Sequence, residues 1–165
     1  MAGKDKKPES RDRVIATNRV ARRDYDILDE MECGIVLRGS EVKSLRESRS
    51  RLDEAFARVV GGELWLIGLH IPPYTHGVGF GAHDPDRNRK LLAHRRDIDR
   101  WGALVDQQRL TMVPLSMYFK DGRVKVLLGL GRGRKRYDKR QALARRDADL
   151  EARRAIAAAA KGRPG

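Results

Sequence analysis

Apolar and polar residues alternate over several short stretches of the chain, and a period of two predicts strands. Ala55 to Val60 and Leu64 to Leu69 flank Gly61-Gly62, while Leu110 to Phe119 and Arg123 to Leu128 flank Asp121-Gly122. Such pairs between alternating runs are turn chemistry for two antiparallel hairpins. In the second hairpin Val124, Val126 and Leu128 fall on one face, with Arg123 and Lys125 on the other, which predicts a buried side and a basic side. Tyr25 to Val36 adds another apolar-rich run, making about five short strands. A small, partly open barrel is the economical way for so short a chain to hide its strand edges, so the fold class expected is α+β, mainly β.

Two helices are expected beside the strands. Asp84-Pro85 reads as an N-cap followed by proline at the first helical position, predicting a long helix to about Gln108. On it Leu91, Ile98 and Val105 form the buried stripe, and Arg89, Arg96 and Arg100 an opposite basic stripe in which Leu92 is an apolar intruder. A basic stripe is equally the ordinary solvated face of a helix. A shorter helix begins after Gly39, with Ser40 as N-cap, Glu41 in the first turn, and Val42 and Leu45 facing inward. Lys43, Arg46, Arg49 and Arg51 then make a second basic cluster. Pro72 to Pro85, with three glycines, reads as a long loop.

Charge changes the picture. Of 165 residues, 36 are Lys or Arg and 23 Asp or Glu, a net +13, with a mean hydropathy of −0.64. Residues 131 to 165 hold 12 basic and 4 acidic residues, so +8 of the excess lies in the last fifth. That segment has few large aliphatic residues, yet Gln141 to Ala160 is rich in strong helix formers. It is expected to be disordered when free and helical when docked on a partner, and nucleic acid is the commonest polyanion such tails meet. The division is therefore a disordered tail over 1–12, a folded domain over 13–130, and a basic tail over 131–165.

Several chemistries lack candidates. The longest uncharged stretch, Leu64 to His83, contains Pro72, Pro73 and four glycines, so it is no spanning helix. Met1 to Arg13 has no apolar core of a secretory signal, and the single cysteine fits a reducing compartment, so a cytoplasmic location is expected. One cysteine and four scattered histidines give no zinc spacing. Cys33 lies between Glu32 and Gly34 without a neighbouring base and reads as structural. Gly129, Gly131 and Gly133 lack the Lys-Ser or Lys-Thr of a phosphate loop and read as a hinge. Glu32, Glu41, Glu47 and Asp53 have no spacing that specifies a nuclease metal cluster. No enzyme and no cofactor are expected.

These segments together resemble the SsrA-binding proteins, the bacterial partners of transfer-messenger RNA. The matching stretches are Asn18 to Tyr25 (Asn-Arg-Val-Ala-Arg-Arg-Asp-Tyr), Glu32 to Arg46, with its Gly-Ser-Glu-Val-Lys-Ser-Leu-Arg run, and His70 to Tyr74. Asp84-Pro85, Arg89 to Leu92, Tyr118 to Val126 and Gly133 to Arg140, with its Tyr-Asp-Lys-Arg run, continue in order. Cys33 stands where that family commonly has alanine, Thr75 to Ala82 matches nothing in it, and Ala155 to Ala160 lacks its lysine-rich ending.

The resemblance implies an OB-type barrel with flanking helices. It implies binding to the tRNA-like domain of transfer-messenger RNA and its delivery, with elongation factor Tu, to stalled ribosomes for trans-translation, without catalysis by the protein. It implies RNA contacts at Asn18, Glu32, Leu92 and Lys125, beside which the basic residues Arg19, Lys43, Arg89 and Arg96 are the candidates for phosphate. In the tail Lys135, Arg136, Tyr137, Asp138, Lys139 and Arg140 match the family's approach to the small-subunit decoding centre through the empty mRNA channel, where ribosomal RNA is met. A monomer, away from membranes, is expected. The competing readings are a non-specific nucleic-acid or ribosome-structural binder, for which charge alone suffices, and a carboxylate-dependent hydrolase.

Overall fold

The computed structural model describes residues 13–47, 50–74, 83–134 and 139–161. They form β1 (Arg13–Thr17), α1 (Arg19–Asp24), β2 (Tyr25–Ile35), α2 (Gly39–Glu47), β3 (Phe56–Val60), β4 (Glu63–Ile67) and β5 (Arg89–Leu92). α3 (Arg95–Gln108), β6 (Thr111–Lys120), β7 (Arg123–Gly133) and α4 (Lys139–Lys161) complete the order. The expected tail over 1–12, the glycine-rich loop over 75–82 and the tail residues Lys135, Arg136, Tyr137 and Asp138 lie outside the described residues, as do the side chains of Lys139 and Arg140.

Both hairpins are as the pattern requires. Gly61 and Gly62 have φ +59° and +76°, and Asp121 and Gly122 have 52° and 76°, so both central residues of each turn are left-handed, matching the twist of the flanking strands. All pairings are antiparallel, in the order β1-β6-β3-β4-β5-β2-β7, and β7 pairs back onto β6. Six strands thus form a closed ring of hydrogen-bonded neighbours, and β1 pairs along residues 116–119 with the same edge of β6 that β3 meets at Met112. Val124, Val126 and Leu128 point inward with Leu64, Leu66, Leu91, Met117 and Phe119, and Leu45 of α2 and Trp101 of α3 close the core.

The long helix begins later than expected. Arg89 to Leu92 is strand β5, its Leu91 opposite Leu64 of β4 and Ile35 of β2, and only Arg95 onward is helical. Asp84 accepts from the backbone N–H of Asp86 at 3.0 Å and its carbonyl from that of Arg87 at 3.3 Å, so Asp84-Pro85 opens a turn instead of a helix. The strand wins because it supplies both neighbours of the ring with a partner, and Arg89 consequently leaves the basic helix stripe. Arg100 of that stripe pairs with Asp29 at 3.4 Å and Asp97 at 3.6 Å, and the buried face is led by Trp101, whose Nε1 donates to Asp29 at 3.2 Å.

α2 starts two residues early. The N–H of Arg38 donates to the Glu41 side chain at 2.8 Å while the Arg38 carbonyl accepts from the N–H groups of Glu41 and Val42, so Arg38, not Ser40, sits at the cap.

Gly129 and Gly131 are strand residues of β7, not a hinge. A Cβ on Gly131 would lie 2.9 Å from the Tyr25 Cβ and one on Gly129 3.0 Å from Leu115, so glycine lets β7 lie close to β2 and β6. Strand β7 accordingly runs on to Gly133, and the N–H of Arg134 donates to the Asp24 carbonyl at 3.0 Å.

The helical propensity of the tail is realised in α4. Over Lys139–Lys161 the segment is a helix that packs on the chain's own strands. Ala152 is buried against Phe56 and Ile67, Asp149 meets Arg58 at 3.2 Å, and the Arg145 guanidinium lies 5.4 Å from the Tyr25 ring centre.

Candidate nucleic-acid interface

Alternation along β2, β6 and β7 sorts their side chains to two faces. Cys33, Met117 and Val126 are buried, so their neighbours Glu32, Gly34, Tyr118 and Lys125 face outward. The register aligns them: Gly34 is opposite both Leu92 of β5 and Lys125 of β7, Lys125 is opposite Tyr118 of β6, and Tyr118 is opposite Val14 of β1. One row of directly opposed residues, Leu92, Gly34, Lys125, Tyr118 and Val14, thereby crosses five strands. Its ends are exposed apolar side chains, Leu92 at 52% and Val14 at 63%. Gly34 contributes by its smallness, since a Cβ there would sit 3.3 Å from that of Leu92.

Glu32 lies beside this row. It accepts a short hydrogen bond from the Tyr118 hydroxyl, and the Lys120 ammonium donates to its two oxygens at 3.2 and 3.4 Å. The Tyr118 bond, then Lys120 and the charge of Lys125, outweigh slight burial and hold the Glu32 carboxyl below its ordinary range. Desolvation and the same bond push the Tyr118 hydroxyl up, so it stays a donor at neutral pH. Burial raises the Cys33 thiol to about 12, which leaves it protonated beside the strip and supports its structural reading.

Two sequence candidates, Asn18 and Arg89, are sealed within the framework in this structure. Asn18 is 5% exposed, and its amide nitrogen donates to the carbonyls of Pro114 at 2.9 Å and Leu52 at 3.2 Å while its oxygen caps α1 through Ala21 N–H at 3.2 Å. Both amide hydrogens are thereby taken, and the oxygen that caps α1 is buried with them. Arg89 has no exposed surface. Its guanidinium donates to Glu41 at 2.5 Å, the Leu69 carbonyl at 2.6 Å and the Pro85 carbonyl at 3.1 Å, and Arg87 donates to the other Glu41 oxygen at 2.6 Å. Burial opposes the Glu41 charge, but Arg87, the Arg38 N–H and Arg89 together hold its carboxyl below the usual range.

The remaining candidates are exposed cations on three separate helices: Arg19 on α1, Lys43 on α2, 5.9 Å from the Tyr74 ring centre, and Arg96 on α3. Arg46 over Phe119 at 4.6 Å joins the second cluster, Arg51 is also exposed, and Arg49 lies outside the described residues. Tyr118, Lys120 and Val14 were missed as site residues, although alternation from Lys125 and the two-residue turn place Tyr118 directly opposite it. Among the described residues no cluster of His, Cys, Asp or Glu could hold a metal ion, and no helix is long and apolar enough to cross a membrane.

A mainly-β domain that turns such a lysine-bearing strip outward, with a carboxylate fixed inside it, is by its chemistry of the nucleic-acid-binding class. The chain belongs to the SmpB protein family, whose model matches residues 15–158. It is 53% identical over 154 residues to the SsrA-binding protein of Mycolicibacterium vanbaalenii, covering 93% of each chain. It is 55% identical over 150 residues to that of Nocardia farcinica, covering 91% of this chain and 93% of the relative. A solved chain described as "tmRNA-SmpB: a journey to the center of the bacterial ribosome" is 47% identical, with a TM-score of 0.63 over 84% of this chain and 93% of that one.

Proposed function

We propose that the protein binds the tRNA-like domain of transfer-messenger RNA and carries it to stalled ribosomes for trans-translation. The observation that carries this reading is the strip of Glu32, Leu92, Lys125 and Tyr118 on three paired strands and their neighbour, in a chain whose relatives are named for SsrA binding. Closure of the sheet through β6 and β7 supports an OB-type barrel as the recognition module. Lys125 meets phosphate, Leu92 packs on an exposed base or sugar, and Glu32 accepts from a donor on the RNA, since a carboxylate repels phosphate. Arg19, Lys43 and Arg96 extend the electrostatic footprint, whereas Asn18 and Arg89 build the surface from beneath.

The tail's Lys135, Arg136, Tyr137, Asp138, Lys139 and Arg140 act on the ribosome, in the empty mRNA channel near the decoding centre, with elongation factor Tu as a delivery partner. The protein acts as a cytoplasmic monomer and makes no covalent change itself. A chain cut after Arg134 keeps all of β7 and loses 10 basic and 4 acidic residues. It is expected to retain selective binding of the tRNA-like RNA in a gel-shift assay and to lose tag addition on stalled ribosomes. Loss of RNA binding on truncation would favour the charge-driven binder instead.

A further inference from the structure

The strip contains one anion where a phosphate-binding surface would have none, and that anion is held on two sides. Glu32 is 39% exposed at its side chain, so part of the carboxylate faces water. Tyr118 donates to one oxygen and Lys120 reaches both, each from β6, while Lys125 stands on β7 and the protonated Cys33 thiol is the neighbour on β2 itself. A carboxylate offers about four acceptor positions, so about one remains after the Tyr118 bond and the two from Lys120. With two lysines against one carboxylate the cluster is still net positive and does not repel a polyanion.

We infer that Tyr118, assisted by Lys120, is a positioning residue that fixes the Glu32 carboxylate as an outward-facing acceptor. This point of the strip then takes a hydrogen-bond donor of a folded RNA, an exocyclic base amino group or a 2′-hydroxyl, in place of a phosphate. The inference rests on the RNA-binding reading above and adds to it the chemistry of one contact. It also explains why a tyrosine is useful there. A hydroxyl bonded to a carboxylate is a charge-assisted bond that fixes direction as well as charge, whereas a lysine alone fixes only charge.

The test is Tyr118→Phe in the full chain, which keeps the ring and removes the hydroxyl. Binding of the tRNA-like RNA is expected to weaken about threefold to tenfold, the loss of one hydrogen bond to a charged group. In the protein alone, the Glu32 carboxyl followed by NMR is expected to titrate at higher pH than in wild type. The acid limb of RNA affinity, read between about pH 3.5 and 7, is expected to move up with it. In a Glu32→Gln background that limb disappears and Tyr118→Phe adds nearly nothing, because both act through one group. RNA carrying inosine for guanosine, or single 2′-deoxy positions, identifies the donor as the change that costs affinity in wild type but not in Glu32→Gln. Lys120→Met is read in the same three ways should Tyr118→Phe fail to fold.

Unchanged affinity with an unmoved Glu32 titration would overturn the inference while leaving the RNA-binding reading intact. Additive losses from Tyr118→Phe and Glu32→Gln would overturn it too, by showing that the hydroxyl touches RNA directly. A wild-type chain that does not prefer the tRNA-like RNA would overturn both, and the titration in the protein alone would still show whether Tyr118 holds Glu32.

Discussion

Glu41 and Glu32 are each gripped by two cationic or donor side chains, with opposite consequences. Glu41 meets Arg87 and Arg89 where it and Arg89 have no exposed surface, and its partners also hold the carbonyls of Val36, Leu69 and Pro85. Glu32 meets Tyr118 and Lys120 at the surface, with roughly one acceptor position left over. The first cluster has used up its hydrogen-bonding capacity on the protein and ties α2, β5 and the turn before it into one block. The second has an acceptor position to spare and lies beside a row that spans five strands. Residue type is shared; what separates framework from recognition surface is whether burial has already claimed the polar atoms.

The comparison breaks most visibly at the sealed cluster. Arg89→Ala leaves the Glu41 charge buried with half its partners gone, which is expected to cost about 3 to 5 kcal/mol of folding stability in urea denaturation. At temperatures where this variant stays folded, its RNA affinity should be close to wild type; a large loss there would return Arg89 to the RNA contacts. The same cluster sets an acid response. The Glu41 carboxyl is held below 4.5, so the unfolded chain binds the proton more readily and this stabilisation is complete only above that pH. Stability is expected to fall as pH drops through the depressed folded value, and Glu32→Gln should leave most of that dependence in place.

Asn18→Ala removes a helix cap and leaves two buried carbonyls without their donor, for an expected loss of about 1 to 3 kcal/mol in the same measurement. Selective RNA binding should survive it. Lys125→Ala is the opposite case: stability should change by less than about 0.5 kcal/mol, while RNA affinity falls and the slope of log affinity against log salt becomes shallower by about 0.7 to 0.9. An unchanged slope would mean that Lys125 meets no phosphate.

Much of this was legible before any coordinates. Turn residues and period-two alternation located both hairpins and the inward set Val124, Val126 and Leu128, because short-range backbone chemistry decides them. β5 was not legible, since Arg89 to Leu92 is too short to show a period and a proline after aspartate imitates a helix start; only its two strand neighbours make it a strand. The burial of Arg89 and Asn18 was hidden for the same reason, as their partners lie 48 and 96 residues away in the chain. Lys125 was legible on the basic face of its hairpin, whereas Leu92 came from the family resemblance, since its reading as an intruder on a helix stripe fails with that helix; Tyr118 became a site residue only through its register opposite Lys125.

The most direct test of the recognition strip is competition binding by the full chain at physiological salt, with labelled tRNA-like RNA challenged by ordinary tRNA and by duplex DNA. Wild type would be compared with Lys125→Ala and with Arg154→Ala, an exposed cation on α4. The strip account expects the tRNA-like RNA to be preferred over both competitors and Lys125→Ala to lose far more affinity than Arg154→Ala. Equal competition by duplex DNA, with the two variants indistinguishable, would contradict it and leave only a charge-driven binder.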